Sequence, residues 1–133
     1  MSWWGIIFKK VHEGDVLDTP GRGLVGLAKG HFKIGQKNSA AIYLHSGKSR
    51  IPLDKKCFDT IEKAFHENAN LYLFVAAVHK KPALPGSADE LIRNATGSEL
   101  ARGNYVCSIL KHCGLVQYKM EGTKKAIVLP EKL

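Results

Sequence analysis

The polar residues with the clearest potential for specific recognition lie in a predicted helix over residues 98–112. When the helix is wound at about 100° per residue, its polar positions gather on one side, opposite an apolar side. Asparagine can pair with adenine through two hydrogen bonds, serine can pair with any base, and alanine leaves room for a thymine methyl group. This side therefore predicts contact with base edges, although an ordinary solvated helix face would have the same composition. Its members are Ala101, Asn104, Ser108, Lys111 and His112, with Tyr105 and Arg102 beside them, and Ser98 at the start of the helix is included among the candidate contacts.

Three lysines follow in a predicted β-hairpin that turns at Glu121-Gly122. Lysines on such a hairpin can hold phosphate groups, which position a protein on nucleic acid without specifying sequence. Lysines on an exposed strand can also serve only to prevent pairing with another edge strand. Both interpretations stay open for Lys119, Lys124 and Lys125.

Positive charge is concentrated in the first part of the chain. The formal net charge is +8, and residues 1–50 hold eight Lys or Arg against three Asp or Glu, a surplus of five. A basic surface attracts polyanions through counterion release and long-range steering. We therefore expect Lys29, Lys33 and Lys37 to supply much of any affinity for nucleic acid. A basic face that only keeps the protein soluble is the simpler alternative.

Motifs for catalysis or cofactor binding are weak in this sequence. Gly21–Gly26 matches G-x-G-x-x-G but follows a proline turn rather than a buried strand, so a glycine-rich hinge explains it better. His31-Phe32-Lys33 matches only part of a phosphodiesterase motif, because Asn38 stands where an acid is needed. The six histidines lack metal-ligand spacing. We predict no cofactor and no metal, and keep a small nuclease or hydrolase with its site in residues 20–50 as a second alternative.

Cysteine content and hydropathy bear on the compartment. Cys57, Cys107 and Cys113 are an odd set without paired spacing, which disfavours a disulfide framework and makes a reducing cytoplasm the simplest location. No apolar run approaches the roughly 20 residues that span a bilayer, so we expect no membrane partner.

The first half of the chain has mainly β-strand patterns. We predict strands over Gly5–Val11, Phe32–Gln36, Ala40–His45 and Arg50–Leu53, which together form a small antiparallel sheet. Asp54 can cap an amphipathic helix whose apolar positions include Cys57, Phe58, Ile61 and Phe65, and which ends near Asn68. The continuous apolar run Leu71–Val78 then predicts a central strand that is buried on both faces.

Two capping boxes precede the hairpin. Ser87-Ala-Asp-Glu90 and Thr96-Gly-Ser-Glu99 each match the pattern in which a hydroxyl and a glutamate satisfy backbone N–H groups at a helix start. They predict two short helices, the second of which ends at Gly114. Gly103 lowers the helix propensity of this second helix by about 1 kcal/mol, so we expect another backbone to pack closely against it.

From Asp54 onward the predicted order is helix, strand, helix, helix, strand, strand. This order resembles the winged helix-turn-helix superfamily over about residues 54–129. The resemblance implies that the 98–112 helix contacts bases and that the last two strands form a wing.

The sequence as a whole predicts a single α+β domain over residues 1–133. Within this domain, we expect a β-rich basic lobe over residues 1–53 to pack against a winged-helix-like lobe over residues 54–133. We expect a non-enzymatic nucleic-acid-binding module for duplex DNA. The first alternative is a protein-interaction or self-association domain on the same scaffold, with Trp3 and Trp4 at the contact between copies.

Overall fold

Helices and strands build an α+β fold, as predicted. The computed structural model describes residues 2–20, 30–78 and 81–130. Lys29 and the glycine-rich motif Gly21–Gly26 lie outside the described residues. The elements in chain order are α1 Trp3–Lys10, β1 Val16–Asp18, β2 His31–Lys37, β3 Ala41–Ser46, β4 Ser49–Asp54, α2 Lys55–Glu67, β5 Leu73–Phe74, α3 Ala88–Thr96, α4 Gly103–His112, β6 Gln117–Glu121 and β7 Lys124–Val128.

The first four strands form an antiparallel sheet in the order β1-β2-β3-β4, which confirms the predicted N-terminal sheet. Its inner face is apolar because residues at every second position point to the same side of a strand. Phe32, Ile34, Ile42, Leu44 and Leu53 are all buried there. The intervening positions of these strands point away from the core.

The predicted N-terminal strand over Gly5–Val11 is wrong, because these residues belong to helix α1 and its C-terminal cap. Trp4, Ile7 and Val11 are buried at helical spacing, and the Ser2 hydroxyl accepts a hydrogen bond from the Gly5 N–H. The three- and four-residue spacing of these apolar side chains therefore fits a helix, although the continuous apolar run suggested a strand.

Both tryptophans pack within the chain. The Trp4 ring lies 5.6 Å from the Phe58 ring, centroid to centroid, and the Trp3 ring lies 6.0 Å from the Phe65 ring. These contacts join α1 to α2. Trp4 is buried within the protein, so it is not available for the contact between copies that the sequence left open.

Helix α2 confirms the predicted amphipathic helix. Cys57, Phe58, Ile61 and Phe65 are buried along one side, and Asn68 is the C-terminal cap. Asp54 occupies the N-cap position, but its side chain makes no capping hydrogen bond. The Asp54 carboxylate instead forms an ion pair with Arg102, at 3.0 Å.

The prediction of a long central strand over Leu71–Val78 is wrong. Strand β5 contains only Leu73 and Phe74, and it lies at the edge of a three-stranded sheet ordered β5-β7-β6. Leu73 and Val75 are buried, whereas Tyr72 and Phe74 are half-buried. The Lys119 and Lys124 ammonium groups lie over the Tyr72 and Phe74 rings, so lysine side chains rather than a second apolar layer cover this face.

The first capping box is confirmed in its serine half, and the second is wrong. The Ser87 hydroxyl accepts from the Glu90 N–H, whereas the Glu90 carboxylate accepts from the N–H of Gly86, the residue before the cap. Thr96 is instead the last residue of α3, followed by Gly97 in the left-handed conformation. The predicted 98–112 helix consequently begins at Gly103.

A buried carboxylate from α3 caps the start of α4. One oxygen of Asp89 accepts the backbone N–H groups of Arg102 and Gly103, each at 3.0 Å, and the other forms an ion pair with Arg93. A Cβ at Gly103 would lie 2.6 Å from the Asp89 Cβ and 2.7 Å from its backbone nitrogen. The expected close backbone approach at Gly103 is therefore confirmed, and it fixes the angle between α3 and α4.

One hydrophobic core joins the two halves of the chain. It runs from Ile7 in α1 and Phe32 in the first sheet, through Phe58 in α2, to Leu110 in α4 and Ile127 in β7. Among the described residues, none of the helices has the length and apolarity that a membrane span requires.

Candidate nucleic-acid interface

The predicted base-contacting side of α4 is covered by the N-terminal sheet. The Tyr105 ring packs edge-on against the Phe32 ring at 5.2 Å, and its hydroxyl donates to the Ser46 hydroxyl at 3.3 Å. The Ser108 hydroxyl donates to the Asp18 carbonyl. Ala101, Tyr105 and Ser108 are all buried. The prediction of an exposed polar side on this helix is therefore wrong.

Arg102 is also buried, with 3% of its surface exposed. Its guanidinium donates to the Pro52 carbonyl at 2.9 Å, to the Asp54 carboxylate at 3.0 Å and to the Thr96 hydroxyl at 3.2 Å. These three bonds join β4, the start of α2 and the end of α3. Arg102 therefore holds elements together and does not present its charge to a nucleic acid.

Ser98, Asn104 and Lys111 keep part of their surface exposed. Ser98 lies in the connection before α4, where its hydroxyl accepts from the Leu100 N–H. Lys111 lies near the end of α4, with its ammonium 5.8 Å from the centre of the Tyr118 ring. Among the predicted polar residues in the first turns of α4, Asn104 remains accessible to solvent.

The hairpin prediction is confirmed in its position, and its lysines divide between two faces. Lys124 is exposed over the Phe74 ring, and Lys119 lies over the Tyr72 ring. Lys125 points to the other face, where it is buried with its ammonium 4.7 Å from the centre of the Tyr118 ring. Burial lowers the pKa of Lys125 below its ordinary value.

A groove brings Asn104 together with Lys124 and Lys125. Its volume is about 440 Å³, and its wall also includes Phe74 and Thr123. The structure thus joins one predicted base-contacting residue, Asn104, with one predicted phosphate-contacting side chain, that of Lys124, whereas the Lys125 ammonium lies over the Tyr118 ring on the other face. Ser108 and Tyr105 are absent from this groove's lining.

The two described lysines of the predicted basic segment have opposite surroundings. The Lys37 ammonium donates to the Phe8 and Val11 carbonyls at 2.6 and 2.8 Å, which satisfies acceptors at the end of α1. Lys33, four residues earlier on the same strand, is exposed. Only Lys33 of this pair can present its charge to a ligand.

The outer face of the N-terminal sheet presents a row of basic side chains across three strands. Lys33 of β2 is opposite His45 of β3, and His45 is opposite Arg50 of β4. All three are exposed, and we call them the basic row. On the neighbouring strand β1, the residue opposite Lys33 is Val16, which is 63% exposed.

Planar side chains lie on this face. The Arg50 guanidinium stacks over the Tyr43 ring, 4.0 Å from its centre. A Cβ built at Gly35 would lie 2.8 Å from the His45 ring, so a glycine is needed for the imidazole to rest on β2. His31, two residues before Lys33 on β2, is also exposed and is paired with the exposed acid Asp18 of β1.

Comparisons with protein-family models, with curated proteins and with solved structures found no significant match.

Of the basic row, Lys33 was predicted as a contact for nucleic acid and His45 and Arg50 were not, although the signal for all three is present in the sequence. The strands β2, β3 and β4 were predicted nearly at their observed bounds, and alternation places Lys33, His45 and Arg50 outward on each of them. What the sequence lacks is the register between strands. Only the observed pairing shows that these three residues are direct neighbours.

The three cysteines are buried thiols. Burial raises the pKa of Cys57 to about 12 and that of Cys113 to about 11, and it raises the pKa of Cys107 further. A protonated thiol is a poor nucleophile and a poor metal ligand. Across residues 2–20, 30–78 and 81–130, no group of three or more His, Cys, Asp or Glu side chains is arranged to hold a metal ion.

Proposed function

We propose that this protein is a nucleic-acid-binding module whose main contact surface is the outer face of the N-terminal sheet. The observation that carries the proposal is the basic row, in which Lys33, His45 and Arg50 are exposed and adjacent across three strands. The +8 net charge of the chain adds long-range attraction for a polyanion.

The chemistry of this face suits both parts of a nucleotide. Lys33 and Arg50 can replace the counterions of phosphate groups, which is the main source of affinity that does not depend on sequence. The flat Arg50–Tyr43 pair and the His45 ring offer planar surfaces on which bases can stack. The face therefore combines charge and stacking within the width of three strands.

We also propose that residues 54–129 are winged-helix-like, since the elements α2, β5, α3, α4, β6 and β7 follow the order on which that resemblance rests. In this proposal the groove of Asn104 and Lys124 is a secondary contact for the nucleic acid, and duplex DNA is the ligand that a wing would favour. The covered side of α4 does not take part.

Salt-dependent binding with matched charge variants tests the proposed surface. The double variant Lys33→Ala, Arg50→Ala removes two charges from the sheet face. Its control, Lys9→Ala, Lys56→Ala, removes two exposed charges from α1 and α2. We expect the first variant to flatten the slope of log affinity against log salt by about 1.4 to 1.8, and the control to leave it nearly unchanged.

The measurement uses fluorescence anisotropy with a DNA duplex, and with one of its strands alone, from low to physiological salt. Equal slopes for the two double variants would contradict the sheet face as the contact surface. A lack of salt-sensitive binding by the unaltered protein to either DNA would contradict nucleic-acid binding and favour the protein-interaction alternative.

A further inference from the structure

A cavity of about 390 Å³ lies beside the basic row, between the edge strand β4 and the connection that leads into α4. Its lining on the strand side includes Ser49, Arg50 and Pro52, and its lining on the other side includes Leu100 and Tyr105. The size falls within the range of pockets that hold small organic ligands. Because Arg50 belongs to both features, the cavity opens next to the proposed contact surface.

The backbone of Arg50 faces this cavity. Ser46 and Ser49 close a two-residue hairpin turn, so Ser49, Ile51 and Leu53 direct their N–H and C=O groups toward β3. The groups of Arg50 and Pro52 point away from the sheet, and the Pro52 carbonyl accordingly accepts from the Arg102 guanidinium at 2.9 Å. Arg50 thus offers a donor and an acceptor side by side at the edge of the sheet.

The walls of the cavity combine apolar and polar groups. Leu100, which is 52% exposed, and Pro52 both line the cavity and supply apolar surface. Ser46 and Ser49 line the same space and add polar groups, although the Ser46 hydroxyl already accepts from the Tyr105 hydroxyl. Arg102 also lines the cavity, and its buried Nε has no hydrogen-bond partner among the residues that the structure describes.

We propose that this cavity takes one unpaired nucleobase of the bound strand. The planar base would lie against Leu100, and its Watson–Crick edge, which carries donors and acceptors side by side, would pair with the N–H and C=O of Arg50. The adjoining phosphates would then lie over the basic row. This inference rests on the proposed function and adds a preference for strands with an unpaired nucleotide.

The experiment compares two fluorescent DNA duplexes that differ by a single unpaired, bulged adenine in one of them. We expect the unaltered protein to bind the bulged duplex about tenfold more tightly than the fully paired one. Leu100→Ser removes the apolar wall and should abolish this preference while leaving affinity for the paired duplex unchanged. Val78→Ser, at another exposed apolar residue outside the cavity lining, is the matched control and should keep the preference.

A second variant, Ser49→Phe, places a ring at the cavity wall by a change at an exposed position, and should also abolish the preference. Equal binding of both duplexes by the unaltered protein would overturn the cavity assignment and leave the proposed function standing. A preference that survives both Leu100→Ser and Ser49→Phe would overturn it as well. Absence of binding to either duplex at low salt would instead overturn the proposed function itself.

Discussion

Lysine and arginine side chains each occur in two kinds of surroundings in this protein. Lys37 and Arg102 donate to carbonyl groups of neighbouring elements, whereas Lys33 and Arg50 are exposed on the outer face of the N-terminal sheet. Local sequence around these residues does not separate the two roles. The two roles differ because the fold brings carbonyl groups within reach of Lys37 and Arg102 only. Each exposed cation therefore has a counterpart of the same residue type that is bonded within the fold, half-buried Lys37 for Lys33 and buried Arg102 for Arg50.

Replacement of the two arginines should have opposite consequences. Arg102→Ala leaves the Pro52 carbonyl and the Thr96 hydroxyl without their donor, so the free energy of unfolding should fall by about 2 kcal/mol. Arg50→Ala should lower stability by no more than about 0.5–1 kcal/mol, because the side chain is exposed and loses only its contact with the Tyr43 ring. Urea denaturation measures both values. A loss of stability in Arg50→Ala as large as that in Arg102→Ala would contradict the assignment.

Gly103 is required by the close approach of α3. Gly103→Ala would place a Cβ 2.6 Å from the Asp89 Cβ, so we expect a loss of about 1–3 kcal/mol in the free energy of unfolding. Gly30→Ala is the control, since a Cβ there would meet its nearest atom, the Thr19 hydroxyl oxygen, at 3.4 Å. Thermal unfolding followed by circular dichroism compares the two, and similar melting temperatures would contradict the packing described at Gly103.

The buried thiols predict a loss of stability in alkali. Burial raises the pKa of Cys113 from 9.0 to about 11, so the unfolded chain releases this proton at lower pH than the folded protein does. Between about pH 9 and pH 11 the unfolded state binds fewer protons, and the free energy of unfolding therefore falls as pH rises. Below this window the contribution is fully present.

Urea denaturation at pH 8 and pH 10 measures this effect for the unaltered protein and for Cys113→Ala. The variant should lose less stability between the two pH values than the unaltered protein does, by about 1 kcal/mol. Identical losses would show that the Cys113 thiol does not titrate differently on folding.

At the scale of elements, the sequence predicted the helices and strands whose pattern of apolar and polar residues fits only one type of secondary structure. Strands β2, β3 and β4 are short β-type segments bounded by turn residues, and α2 has one apolar stripe, so all four were predicted near their observed positions, although β2 pairs with β3 through a register shift between Ile34 and Lys37. The segments that were wrong are short and apolar at most positions. In α1 and around β5, a continuous apolar run hides the period, and only packing partners such as Phe58 and Lys124 decide the conformation.

The start of α4 shows a second reason why the sequence alone does not predict every element boundary. The Thr96 motif has the right residues for a capping box, but the Asp89 carboxylate, 13 residues before Arg102, performs the capping. A cap that comes from another helix leaves no local pattern. For the same reason the sequence could place Asn104 and Lys124 in a candidate site but could not show that Tyr105 and Ser108 are covered by the first sheet.

The attachment of α1 to the sheet depends on Lys37. Lys37→Met keeps the aliphatic stem but removes the ammonium that donates to the Phe8 and Val11 carbonyls, so stability should fall by about 1–2 kcal/mol. Lys33→Met on the same strand should leave stability nearly unchanged and weaken binding to nucleic acid. Hydrogen exchange of α1 amides gives a local readout, and faster exchange is expected in Lys37→Met alone.

At the scale of the whole molecule, the two faces of the N-terminal sheet have different surroundings. Its inner face packs on α4 through Phe32 and Tyr105, which covers the side of the helix that carries Tyr105 and Ser108. Its outer face carries the basic row and the Arg50–Tyr43 stack. The same sheet thus covers one candidate surface and provides another, and the position of bound nucleic acid distinguishes between them.

Chemical-shift mapping is the most direct test of this account. The ¹⁵N-labelled protein is titrated with a short DNA at low salt, and the shift of each backbone amide is followed. We predict that the largest shifts fall on Lys33, His45, Arg50 and their strand neighbours, with small shifts along α4. Largest shifts in α4 or in the β6–β7 hairpin, with the sheet face unchanged, would contradict the proposal that the outer face of the N-terminal sheet binds nucleic acid.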